Sequence, residues 1–199
     1  IRWFNIGVFY PFSRNHNEKR RSDQYPWSFD EEARNIIKKD IQYRYSLIRY
    51  IYSQLFLISL NELGSFFKPV LFEFPEDKNS YTDIEYKIMF GEAFLICAFY
   101  SNKTDNYKFI LPKANFNLYP SGKNIMDYKL DNREIELSGD FNELHIFLRG
   151  GYIVPIQNSF NKYIINTERL REEGISLIIS PDNNLKRKGV IFFDNDDVD

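Results

Sequence analysis

Residues 9–17 read FYPFSRNHN, an aromatic, proline-bounded turn set directly against Arg14 and His16. One of the chain's two histidines therefore lies in a loop with a cation beside it. Buried helix faces and solvated strands rarely need Arg, Asn, His and Asn in succession, whereas a pocket that must hydrogen-bond a polyhydroxylated ligand does. The plain alternative is a capped turn.

Downstream of this loop a helix is predicted from Ser28. Ser28 and Glu31 are spaced as a capping box, and Asp30, Glu31 and Glu32 put negative charge on the first turn. Ile37, Ile41, Tyr45, Ile48, Tyr52 and Leu55 then recur at three and four, one stripe on a helical face, with Gly64 as the stop. A helix this long, with room for a break near its start, buries its stripe against a neighbour that the chain only partly contains.

Past Gly64 the periodicity changes to short runs of Val, Ile, Phe and Tyr. Strands are predicted at 70–74, 94–99, 107–111, 116–119, 145–148 and 190–193. Pro75, Pro112, Pro120 with Gly122, and Gly139 punctuate them. Such spacing without long intervening helices suggests an antiparallel sandwich. The KYIINTERLREEG and DNNLKRKG stretches read as solvated connections, and the closing DNDDVD as an edge or acidic tail.

Composition narrows the function classes. At 43% hydrophobic and 18% aromatic the 199 residues can fill a core, which argues against disorder. A net charge of −2 from 26 basic and 28 acidic residues gives no electrostatic footprint for nucleic acid or an anionic membrane. The single cysteine, Cys97, excludes an internal disulfide or a cysteine-rich zinc site and reads as a small buried hydrophobe. Asn102, Lys103 and Thr104 form one N-glycosylation sequon. No apolar stretch approaches the roughly 20 residues of a membrane-crossing helix.

Four blocks occur in one order: Trp3 with GVFYPFSRNHN, YRYSLIRYIYS from Tyr43, VLFEFPED from Val70, and FLRGGYIVP from Phe147. Together they resemble glycoside hydrolase family 31, the α-glucosidases, in the branch of the lysosomal and intestinal enzymes, whose versions read much like RWxxxGxFYPFSRNHN, RYxLLPYLY, RPLxxEFxxD and LRGGxIxP. The resemblance implies an α/β part followed by an all-β part: the C-terminal end of a (β/α)8 TIM barrel over 1–80, a proximal antiparallel β-sandwich over 81–160, and the start of a distal β-domain or connection over 161–199. It implies that the helix from Ser28 is the barrel's last outer helix. It also implies a C-terminal fragment, because the family's nucleophilic and acid/base aspartates lie upstream of the first block. No catalytic residue is assigned in this chain.

Residue by residue, His16 stands where the family's histidine reaches a hydroxyl of the glucosyl unit at the cleavage point. An imidazole discriminates a hydroxyl's orientation because it donates from one nitrogen and accepts at the other. Arg14 either touches sugar or braces a barrel carboxylate from behind, the second being favoured. Asn15 and Asn17 are expected to satisfy loop backbone. Phe9, Tyr10, Phe12 and Trp3 have the shape of sugar-stacking platforms but are expected to pack as core.

Two other clusters imitate active sites. Glu73, Glu76 and Asp77 look like the paired carboxylates of a glycosidase, which sit about 5–5.5 Å apart in retaining enzymes; adjacent residues after a proline do not face each other across a bond. Arg149, Gly150 and Gly151 look like an anion cradle but lack a phosphate loop's helix and spacing. A tight crossover with Arg149 in a buried ion pair is expected instead. The chain departs from the family pattern at Lys68 (usually Arg), Arg49 and Ala98 (both usually Pro), and Phe116, Asn117 and Leu118 (usually WYD). These departures lie away from the histidine loop.

The expected function of the whole protein is a retaining α-glucosidase, removing terminal non-reducing α-linked glucose from an oligosaccharide without metal or organic cofactor. By resemblance it follows the secretory route, lysosomal or extracellular. The alternatives are a carbohydrate-binding homologue that has lost a carboxylate, and the glycan-trimming enzyme of the endoplasmic reticulum. That last branch reads closer to FRAH than SRNHN around its histidine.

Overall fold

The computed structural model describes residues 1–18, 22–60, 64–99, 106–119, 121, 133–140, 142–160 and 164–194. The sequon at Asn102, the turn at Pro120 and Gly122 and the acidic end after Asp194 lie outside the described residues. A short helix, α1 (Arg2–Gly7), leads into the histidine loop. After a 3-10 turn at Pro26–Ser28 come α2 (Glu31–Ser46) and α3 (Ile48–Ser59). Among the described residues no helix is long and apolar enough to cross a membrane.

The cap of α2 is Asp30 rather than Ser28: its backbone is extended (φ −61°, ψ 171°) and its carboxylate accepts the Ala33 N–H at 2.8 Å. Ser28 closes the preceding turn by donating to the Tyr25 carbonyl. The break falls at Leu47 rather than near the start. There the Ser46 hydroxyl donates to the Tyr43 carbonyl at 2.7 Å, a back-bond that bends helices. The helix ends at Leu60, four residues before Gly64.

The buried helical face runs through Ile36, Ile37, Asp40, Leu47, Tyr50, Ile51, Gln54 and Leu57. It is rotated from the predicted stripe, of which only Ile37 is fully buried. Polar side chains bonded inward share the packed face, and apolarity alone does not register them. Ile41 and Tyr45 line one surface groove of about 530 Å³. Ile48, Tyr52 and Leu55 line a second of about 380 Å³.

The sheet part comprises β1 (Phe67–Pro69), a single helical turn α4 (Val70–Glu73), β2 (Lys87–Phe90), β3 (Phe94–Cys97), β4 (Tyr107–Ile110), β5 (Phe116–Tyr119), β6 (Glu134–Leu137), β7 (His145–Arg149), β8 (Tyr152–Gln157), α5 (Thr167–Glu172) and β9 (Ile175–Ser180). A five-stranded sheet has the order β1-β2-β3-β7-β5; β4 pairs with β6, and β8 with β9. Every strand pair is antiparallel. The first sheet reaches back to residue 67, and the β8–β9 hairpin spans residue 160.

Two apolar clusters sandwich the five-stranded sheet. Phe90, Phe94, Ile96, Ile146 and Leu148 join Val8, Phe9, Leu47, Tyr50 and Ile51 on the helix side. Met89, Leu95, Cys97 and Phe147 join Phe109, Leu111, Ile135 and Leu137 of the β4–β6 side. The central strands are buried on both faces, so FLIC and HIFL read as continuous apolar runs rather than alternations. Cys97 is a buried free thiol, pushed up to about 12 by burial.

Helices and sheet are joined at the β2–β3 turn. The Tyr50 hydroxyl donates to the Phe90 carbonyl at 2.9 Å and accepts the Ala93 N–H at 3.1 Å, and Gln54 accepts the Glu92 N–H. Gly91 sits at φ +61°, where a Cβ would lie 2.3 Å from the Tyr50 hydroxyl, so only glycine fits.

Two predicted strands are absent. Residues 70–74 form the turn α4: Val70 is buried while Phe72 is 69% exposed, and the strand is the segment just before, paired with β2. Residues 190–193 do not pair as a strand but lie along α3, with Phe192 stacked on Phe56 at 3.7 Å and its N–H donating to Ser53. Side-chain stacking on a helix takes the place of a ladder. Strands β1, β2, β6, β8 and β9 were not among those predicted.

Candidate functional site

The histidine loop is anchored at its start and open at its end. Phe9 is fully buried, edge-on to Phe90 at 5.4 Å, and Tyr10 rests on Phe67 at 4.6 Å. Arg44 of α2 donates to the carbonyls of Val8 at 2.6 Å, Tyr10 at 2.6 Å and Pro11 at 3.0 Å. From Phe12 onward every described loop residue is exposed. Phe9 packs as expected. Phe12 and Trp3 do not: they are 80% and 73% exposed, because the described chain supplies no apolar layer over this face.

Within the loop, Asn15 donates to the Gln24 carbonyl at 2.9 Å. Asn17 donates to the Ser22 carbonyl at 2.6 Å and accepts the Glu18 N–H at 2.8 Å. Both asparagines thus hold loop backbone. Arg14 Nη2 lies 3.1 Å from His16 Nδ1. A guanidinium only donates, so in this contact Nδ1 is the acceptor and Nε2 is left as the ring's N–H. The imidazole is exposed and left with Nε2–H as its donor. The grooves lined by α2 and α3 do not include His16.

Two of the three carboxylates of FEFPED, Glu73 and Asp77, are engaged elsewhere. Glu73 accepts from Lys68 at 2.6 Å and from Arg149 at 2.7 Å. Burial pushes its carboxyl up, and the hydrogen bonds and charges of Lys68 and Arg149 more than reverse this, leaving it below the ordinary value. Lys68, where the family usually has arginine, still completes the pair. Asp77 binds the Arg133 guanidinium and accepts the N–H groups of Asn79 at 3.1 Å and Lys113 at 2.6 Å. These bonds likewise overcome burial and hold it low.

Arg149 also lies over the ring of Phe74 at 4.5 Å, and Gly151 turns the chain at φ +93°. The LRGG segment is the crossover from β7 to β8, with no anion cradle. His145, the second histidine, is 5% exposed on β7, its Nε2 2.7 Å from the Ser138 carbonyl and its ring edge-on to Phe99. Burial lowers it. Asp40 is buried with one carboxylate oxygen unpartnered and is raised by burial to about 7. Among the described residues no group of three or more His, Cys, Asp or Glu is placed to hold a metal ion.

Arg44 is the residue that motif reading passed over. It stands inside the YRYSLIRY block, where a helix cation looks solvated. Its partners are backbone carbonyls more than thirty positions away, and backbone leaves no mark in sequence.

Known proteins resolve the family. Residues 1–54 match the glycosyl hydrolases family 31 TIM-barrel domain, and residues 64–154 match the glycosyl hydrolase family 31 C-terminal domain. The human probable maltase-glucoamylase 2 is 31% identical over 98% of this chain, which covers 7% of that protein. Human intestinal sucrase-isomaltase is also 31% identical over 98% of the chain, covering 10% of that protein. The chain thus spans a tenth or less of the length of these relatives. Among solved structures, the glucosidase II alpha subunit superposes with a TM-score of 0.86 at 18% identity, over 98% of this chain and 20% of that one. That likeness bears on fold alone. The chain belongs to glycosyl hydrolase family 31, carrying the end of its barrel domain and its C-terminal domain.

Proposed function

We propose that the protein carrying this chain is a retaining α-glucosidase that removes terminal α-linked glucose from oligosaccharides, with His16 as the sugar contact supplied by this segment. One observation carries the reading: in an exposed loop otherwise tied to backbone, Arg14 meets His16 Nδ1 at 3.1 Å, leaving Nε2–H to donate to a ring hydroxyl. In this scheme an aspartate outside the chain attacks the anomeric carbon, and a second protonates the leaving oxygen and then activates water. His16 orients the glucosyl unit for in-line attack, and Arg14 sets which imidazole nitrogen holds the proton. That chemistry calls for no metal or organic cofactor. Glu73 and Asp77 are held in ion pairs and the two catalytic aspartates are assigned outside this chain, so the 199 residues alone should not turn over an α-glucoside.

The division at residues 80 and 160 and a secretory route, lysosomal or extracellular, belong to the same proposal. The 31% identity to maltase and sucrase relatives favours small malto-oligosaccharides over a glycan-trimming role. The test is the full-length enzyme on maltose, with the first-formed anomer read by NMR. Release of α-glucose is expected. Initial β-glucose would overturn retention, and no turnover would favour a binding homologue. Activity confined to a glucosylated high-mannose glycan would move the protein to the trimming branch.

A further inference from the structure

We infer that Arg44 is a positioning residue for the sugar-contacting loop, an inference that rests on the proposed role of His16. The guanidinium reaches from the last turn of α2 to three carbonyls of the segment that delivers His16. Nη1 donates to Val8 at 2.6 Å and Tyr10 at 2.6 Å, and Nη2 donates to Pro11 at 3.0 Å. Val8 and Phe9 are buried at 1% and 0% exposure, so the clamp grips the last fixed residues before the chain turns outward. Beyond Pro11, Asn15 and Asn17 brace the described loop through backbone carbonyls.

The arrangement suits a guanidinium specifically. Its planar fork holds three acceptors at fixed mutual angles, whereas a lysine ammonium reaches them only one or two at a time from a flexible stem. No salt bridge of Arg44 exists among the described residues, and its guanidinium is bonded to three carbonyl oxygens. Removing it frees three carbonyls and lets Tyr10 and Pro11 swing about the Phe9 anchor. His16 follows a few residues later, and a displacement of about 1 Å at a substrate contact is enough to cost up to ~100-fold in rate.

The experiment uses the full-length protein and maltose, comparing wild type with Arg44→Lys, Arg44→Gln, His16→Ala and the His16→Ala, Arg44→Lys double variant. Thermal unfolding is followed in parallel. Arg44→Lys is expected to keep the fold and lower kcat/KM by roughly tenfold, with Arg44→Gln at least as impaired. In the His16→Ala background the same change should cost less than about twofold, because residues that act as one unit are not additive. Equal losses in both backgrounds overturn the inference, as does a loss that tracks a lowered Tm, or failure of Arg44→Lys to fold; each assigns Arg44 to stability alone. A fully active His16→Ala, read before any Arg44 variant, instead overturns the sugar contact itself and leaves Arg44 nothing to position.

Discussion

Residues 9–17 and 145–151 each hold one histidine and one arginine, yet the fold treats them in opposite ways. In the first, Arg14 and His16 are exposed and bonded to each other. In the second, His145 is buried against the Ser138 carbonyl and Arg149 is closed onto Glu73. Residue type is thus a poor guide to chemistry. What separates the regions is whether neighbours inside the chain satisfy the polar groups. β7 lies between two apolar layers and must satisfy everything locally, whereas the loop leaves His16 exposed to solvent.

The contrast can be broken most forcefully at Glu73. Glu73→Gln leaves Lys68 and Arg149 without their carboxylate, and unfolding free energy should fall by about 3 kcal/mol, the low end for breaking a buried pair. Turnover per folded molecule of the full-length enzyme should stay unchanged. Lost turnover at intact stability would return Glu73 to the chemistry.

A smaller effect is expected at Arg14. Arg14→Ala should leave the melting temperature unmoved while lowering kcat/KM roughly tenfold, the scale of losing the partner that orients a ligand-contacting imidazole. Destabilisation would make Arg14 a fold residue like Arg149.

The smallest effect concerns His145. Burial holds its imidazole below its ordinary 6.5, so below that pH the unfolded chain takes up a proton that the folded chain refuses. Stability should therefore fall as pH drops through 6.5 and go on falling until the folded imidazole titrates too. Glu143 pulls toward protonation and Arg2 against it. His145→Gln, which retains a donor for the Ser138 carbonyl, should flatten the melting temperature between pH 7 and pH 5. An unaltered slope would place the acid sensitivity elsewhere, with Asp40 excluded by its opposite sign.

Much of this was legible in sequence, for identifiable reasons. FLIC and HIFL are doubly buried strands, and such runs announce themselves as unbroken apolar segments. Asp30 and Ser28 are both good caps, and only backbone geometry decides between them. β8 was obscured by Pro155 inside its run, β9 by its largely exposed residues, and β1 by its length of three residues. VLFEF has strand composition but turns helical after Pro69, and the segment around Phe192 lies against Phe56 on α3 instead of pairing as a strand. For the site, His16 and Arg14 stood out because polar residues crowd a short loop. Arg44 did not, because its partners are backbone carbonyls supplied by another element.

The central claim is that His16 grips the sugar while the other histidine serves the fold. It is tested most directly by kcat/KM for maltose in full-length wild type and His16→Ala, with melting temperatures measured on the same samples. A fall of roughly 100-fold at unchanged melting temperature is predicted. Undiminished kcat/KM would contradict the account.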